Sequence, residues 1–131
     1  MVSATSSAPV SKKLFWAGCI VSALPVLMLV MSGVMKLIKA DAAMDGFPKL
    51  GWNPSIAVPL GIVELTCTLL YVIPQTSVLG AILLTGYLGG AVATHVRIDE
   101  PFYTPVILGV LVWLGLYLRY AKLRAMFPLK G

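Results

Sequence analysis

The chain predicts an all-α integral membrane protein, a four-helix bundle of antiparallel up-down topology with short loops. Of its 131 residues, 59% are hydrophobic and 11% charged, where a soluble domain carries about a quarter charged residues. The mean hydropathy of +0.93 is a property of the whole length and not of one block, which indicates several spans rather than a soluble domain with a single anchor. Two stretches, 14–35 and 50–96, hold a single charge between them, Glu64.

Residues 1–13 read as an N-terminal tail, disordered or surface-lying, because Ser, Thr and Ala dominate it without apolar periodicity. The first helix is expected over about 14–37. Its uncharged run outlasts the roughly 7 to 15 residues of a signal-peptide core, and Lys36, Lys39 and Asp41 crowd the Ala40-Asp41-Ala42 sequence that resembles a cleavage site. The run therefore reads as a retained span. At 1.5 Å per residue it reaches about 36 Å, enough to cross a hydrocarbon core about 30 Å thick, with Pro25 as a kink.

The stretch from Lys49 to Arg97 is too long for one crossing and must fold back. Pro74-Gln75-Thr76-Ser77 supplies the break, which predicts helices over about 55–73 and 77–95. Asn53-Pro54 suits the start of the second, with Asn as N-cap and Pro in the first turn. Thr104-Pro105 suits the fourth, over about 105–120, which stops among Arg119, Lys122 and Arg124, cations favoured at a helix C-terminus. The membrane domain thus covers 14–125, and 126–131 form a C-terminal tail.

Four spans put both termini on one side. Lys12, Lys13, Arg119, Lys122, Arg124 and Lys130 gather there, against Lys36, Lys39, Lys49 and Arg97 on the other side. The excess predicts cytoplasmic termini in an inner cell membrane. Trp16, Tyr71, Tyr117 and Tyr120 fall at one expected interface, and Phe47, Trp52, Phe102 and Tyr103 at the other, as aromatic belts do. The net charge of +5 is split between termini and loops and forms no stripe, so nucleic acid is not expected as a partner. Cys19 and Cys67 lie in apolar runs without Cys-x-x-Cys spacing and read as small buried hydrophobes.

Helix packing is expected at Gly33 and along Gly86, Gly90 and Thr94, which recur every four residues on the third helix, with Gly89 and Ala93 widening the groove. Small residues at that spacing allow close approach of helices, within the bundle or between copies in a homo-oligomer.

Glu64 is the most informative residue. An ionised group at the centre of a span costs roughly 2.5 to 3.5 kcal/mol, so an intramembrane acid faces the interior, pairs or stays protonated. Gly61, Glu64, Thr68 and Tyr71 share one helical face. That stripe has two readings: a hydrogen bond that ties helices together, or a contact for a ligand or proton. Lys36, His95 and Arg97 stand toward the non-cytoplasmic side. Lys36 can snorkel to the interface, and Arg97 suits a loop cation paired to Asp99 or Glu100. Glu64 lies roughly 13 Å below its helix start, so water or a bound ligand is the expected link between it and Lys36 or His95. Among catalytic and metal sites, one histidine excludes bis-histidine haem, one internal carboxylate excludes a di-metal centre, and no phosphate loop or nucleophile triad is present. Neither catalytic residues nor a metal site is expected.

Ser32-Gly33-x-x-Lys36-Leu37 closes the first span, Leu60-Gly61-x-x-Glu64-Leu65 lies in the second, the glycine-rich third ends Ala93-Thr94-His95, and Trp113 and Gly115 mark a short fourth. In this order and spacing the chain, over about 14–127, resembles the DoxX-like family of small four-span membrane proteins. The family takes its name from a membrane subunit associated with thiosulfate:quinone oxidoreductase and terminal quinol oxidase. The resemblance implies a non-catalytic accessory subunit in a quinone-linked electron-transfer setting, with no covalent cofactor, a quinone or lipid as ligand, and membrane or peripheral oxidoreductase subunits as partners beside the bilayer. It points to Lys36, Glu64 and His95 as ligand-binding positions, and the stripe beside Glu64 adds Thr68 as a further candidate. The competing readings are a purely structural subunit of a larger membrane assembly and a small-molecule or proton carrier.

Overall fold

The computed structural model of the chain describes residues 12–126, and among these every regular element is helical. Six α-helices follow in order: α1 (Lys12–Leu37), α2 (Asp41–Lys49), α3 (Ala57–Val72), α4 (Ser77–Arg97), α5 (Tyr103–Arg119) and α6 (Ala121–Met126). The 1–11 part of the expected N-terminal tail, and 127–131 of the C-terminal one, lie outside the described residues. α1 takes in Lys12 and Lys13, two residues before its expected start.

The long helices lack strongly sided polarity, because their outward faces meet hydrocarbon instead of water. Trp16, Ile20, Leu27, Met31, Leu69 and Val110 are all more than half exposed, an arrangement that would be costly in water at about 25 cal/mol per Å² of apolar surface and is the favoured one in lipid. Three helical stretches are long and apolar enough to cross a membrane, Lys12–Leu37, Pro54–Val72 and Pro74–Arg97. This is a multi-pass membrane protein. The fourth apolar helix, α5, has 17 residues, about 25 Å at 1.5 Å per residue, the lower limit of what spans a bilayer. It begins two residues before the expected 105–120 range and ends one residue before its close, because Tyr120 turns extended and breaks the helix.

α1 and α4 each pack against both α3 and α5. Leu29, Tyr71, Leu84, Val112 and Leu116 are almost wholly buried where they meet. Tyr71 ties three helices: its hydroxyl donates to the Val112 carbonyl at 2.6 Å and stands 3.0 Å from Ser22 Oγ.

The connections carry more structure than expected. The segment after α1, predicted as a loop, contains α2, whose Asp41 lies in the first turn and Lys49 in the last, each at the end where the helix dipole favours its charge. Phe47, 5% exposed, anchors it. Asn53 does cap as predicted, accepting from Ser55 N at 2.9 Å, but the first turn, Pro54–Ile56, is a 3-10 turn and α3 proper begins at Ala57. Thr104 does not cap α5, which starts one residue earlier at Tyr103 and has no side-chain cap. Pro105 still falls in the first turn, where its missing N–H has no helical acceptor to lose.

The hairpin between α3 and α4 forms at the predicted break. Pro74–Thr76 is a 3-10 turn, and the Thr76 and Ser77 hydroxyls donate to Leu70 O and Tyr71 O at 2.7 Å, satisfying carbonyls that the end of α3 leaves open. Gly80 lets α4 press against the backbone of Tyr71, a space that a Cβ would fill.

At the opposite end, α1, α2 and α4 all close with the same paired hydrogen bonds. Ala40 N donates to Met35 O and Lys39 N to Lys36 O; Trp52 and Gly51 repeat the pattern on α2, and Glu100 and Asp99 on α4. This closure needs a left-handed residue, a place suited to glycine. Gly51 supplies it at φ 80°, but Lys39 and Asp99 adopt φ 55° and 58° with side chains attached.

Candidate functional site

Two short patterns place the polar residues. Gly33 precedes Lys36 by three positions on α1, and Gly61 precedes Glu64 by three on α3. Each glycine therefore sits about one turn from its charged residue on the same helical face. The helices approach at these glycines: a Cβ on Gly61 would stand 2.9 Å from Gly33 O and 3.1 Å from Lys36 Cβ, and one on Gly33 would strike Leu65. The close crossing sets the two charged side chains against each other.

Lys36 Nζ lies 2.9 Å from Glu64 Oε1 and donates to Ser32 Oγ at 2.6 Å, while Ser32 Oγ donates to the same carboxylate oxygen at 3.2 Å. The three groups form a closed set. Glu64 is 2% exposed, so its charge is met by protein and not by solvent. Direct pairing corrects the expectation that water or ligand must bridge the depth difference. The lysine does not need to snorkel, since the glycine crossing carries the end of α1 alongside the middle of α3.

Thr68, expected as a ligand contact, instead donates to the Glu64 carbonyl at 2.7 Å within its own helix. Buried Thr in an apolar helix commonly satisfies its hydroxyl this way. His95 stands on the wall of the site, with Nδ1 2.7 Å from Ala91 O. A carbonyl can only accept, so this contact assigns a proton to Nδ1, and in the neutral tautomer Nε2 is then the acceptor. Among the described residues Arg97 forms no ion pair with Asp99 or Glu100, contrary to the expectation. It ends α4 and donates to Leu50 O, tying α4 to the end of α2.

The polar set opens on two adjoining hollows. One, about 270 Å³, is walled by Ser32, Lys36, Glu64, Tyr87, His95 and Thr104 among apolar residues. The other, about 590 Å³, shares Lys36, Tyr87 and His95 and extends between Trp52, Leu60 and Gly90. Together they present a few polar atoms on otherwise apolar walls, the composition of a site for a small amphipathic molecule.

The expected packing row behaves differently at its two ends. Gly33 is tightly covered by Leu65, whereas Gly86, Gly89 and Gly90 have nothing within 4 Å of a Cβ position, and Thr94 Oγ1 returns to Gly90 O at 2.8 Å. No helix among the described residues fills the groove at Gly86 and Gly90. Gly86 and Gly90 instead widen the larger hollow.

Sequence reasoning overlooked Ser32 and Tyr87 as parts of the site. Ser32 is one turn before Lys36, and Tyr87, Ala91 and His95 recur every four residues along α4. That spacing was available as a signal.

No curated protein and no solved structure matches the chain. The DoxX-like family model matches residues 20–115. This interval contains both glycine-to-charge patterns, the hairpin and His95, so the residues that build the site are the ones the match spans, and the chain belongs to the DoxX-like family.

Proposed function

We propose that this protein is a non-catalytic membrane subunit that holds a quinone-class amphipath in a quinone-linked electron-transfer setting. The observation that carries the reading is the Lys36, Glu64 and Ser32 set on the wall of a largely apolar hollow of about 270 Å³, with Lys36 also lining its larger neighbour of about 590 Å³. The Lys36 ammonium has three N–H donors, of which Ser32 and Glu64 take two, so the third can donate to a carbonyl oxygen, and the Nε2 of a neutral His95 can accept from a hydroxyl. A quinone and its quinol present these two functions on one ring, with an apolar tail suited to the walls. The chain itself then binds and orients, and a partner oxidoreductase carries the electrons.

In this reading the four apolar helices form an antiparallel up-down bundle with both termini cytoplasmic, and the site opens toward the opposite side. The pairing of α1 and α4 with both α3 and α5 supports the bundle, and the lysine and arginine excess at the termini supports the orientation.

The test is titration of the purified protein with a short-chain benzoquinone, followed by isothermal calorimetry. Saturable binding that Glu64→Ala and His95→Ala both weaken supports the proposal. Equal binding by wild type and variants removes this site from the account. A second reading, a structural subunit of a larger assembly, is favoured by the uncovered Gly86, Gly89 and Gly90 face. Copurification in mild detergent addresses it, and a solitary monomer counts against it. A carrier role has less support because Glu64 is already engaged by Lys36; proton flux in proteoliposomes lost on Glu64→Gln would revive it.

A further inference from the structure

A second polar group enters the apolar region at the opposite end of the helices. Arg119 closes α5, and its stem lies over Gly18 of α1. Its guanidinium is stacked 5.3 Å from the Tyr71 ring centre and 5.4 Å from that of Tyr120. Nε makes a long bond of 3.4 Å to Gly115 O, and the buried Nη2 has no hydrogen-bond partner among the described residues. Stacking on rings compensates the charge but leaves N–H donors without an acceptor, an arrangement that is unfavourable when buried.

Beside this guanidinium lies a hollow of about 200 Å³, walled by Cys19, Ser22 and Ala23 of α1, Tyr71 and Val72 of α3, and Arg119 itself. Among the described residues the charged side chains around it are basic. Lys12 and Lys13 begin α1, and Lys122 and Arg124 follow on α6, whereas the chain's acidic residues are Asp41, Asp45, Glu64, Asp99 and Glu100, all on or near the other end or paired to Lys36. Arg124 is engaged with the Tyr117 and Leu118 carbonyls that end α5. Among the described cations at this end, Arg119 is therefore the one that lines the cavity with a buried N–H group left without an acceptor.

We propose that Arg119 and the hollow beside it bind the phosphate of an anionic phospholipid headgroup. A phosphate oxygen accepts from the guanidinium fork in the paired geometry that arginine favours. The lipid source follows from position: the hollow lies between α1 and α3, both membrane-spanning in length and composition, and Val26 and the half-exposed Val72 line it where an acyl chain would run. The neighbouring lysines add attraction for a net-negative lipid.

The experiment is native mass spectrometry of the delipidated protein in detergent with added phosphatidylglycerol. Wild type is expected to retain bound lipid, and Arg119→Gln to retain about tenfold less, the loss of one charge-assisted bond pair. Lys122→Gln removes the same unit of charge from an exposed position and should change retention less than about twofold. Ala23→Leu fills the hollow while leaving the arginine in place and should reduce retention as Arg119→Gln does, which keeps the test decisive if the arginine variant misfolds. Millimolar inorganic phosphate should not displace the lipid; if it does, a free oxyanion and not a headgroup is the ligand and the lipid assignment is overturned. Wild-type retention by both Arg119→Gln and Ala23→Leu overturns the site.

Discussion

The two ends of the helices handle an embedded cation in opposite ways. Lys36 meets a carboxylate and a hydroxyl within 3 Å, in a set where each charge has a partner. Arg119 meets two aromatic rings and one distant carbonyl. The difference teaches that close approach alone does not decide the chemistry. Helices α1 and α3 meet at Gly33 and Gly61, and α1 and α5 meet as closely at Gly18 and Gly115 beside Arg119; only the first crossing sets an acid opposite the cation, and at the second the Tyr71 and Tyr120 ring faces substitute for an anion.

The comparison sharpens first at Glu64. Glu64→Ala leaves Lys36 charged and unpaired in an apolar site, and unfolding in detergent should show a loss of about 3 to 5 kcal/mol. Arg119→Leu keeps the bulk of the stem but removes cation–π contacts, and should lower stability by about 1 to 2 kcal/mol; a loss as large as that of Glu64→Ala would show that both ends rely on a true counter-charge. Gly61→Ala sets a methyl against Gly33 O and Lys36 Cβ, with an expected loss of about 1 to 3 kcal/mol and weaker quinone binding in the same preparation. Gly90→Ala, on the uncovered face, should be neutral or raise stability by up to about 1 kcal/mol through helix propensity. A comparably small effect is expected at the cap of α1, where Lys39→Gly relieves a left-handed side chain and should raise the unfolding midpoint by the equivalent of about 0.5 to 1 kcal/mol.

The helical class and the membrane setting were legible because they depend on summed hydropathy, which needs no partner to be known. The hairpin was legible for the same reason: Pro74 and its polar followers break a helix locally. Helix α2 was missed because Asp41, Asp45 and Lys49 read as loop charges, while Phe47 anchors them only once α1 and α3 are in place. Gly86 and Gly90 were read as a packing seam from spacing alone, and spacing does not say which face a neighbour covers. Glu64 and Lys36 were both picked out, yet their direct contact was not. Reckoning depth along ideal, separate helices hides the effect of two backbones meeting at Gly33 and Gly61. Arg119 was counted with the topology cations, since a terminal arginine beside Lys122 and Arg124 carries no mark of the rings that hold it.

The central claim, that Lys36 and Glu64 are held together as a direct pair inside the membrane domain, is tested most directly by a double-mutant cycle. Unfolding free energies in one detergent are measured for Lys36→Met, Glu64→Leu and the two combined. A direct buried pair predicts a coupling of about 2 to 3 kcal/mol, with the double variant closer to wild type than either single one. Losses that simply add would contradict the pairing.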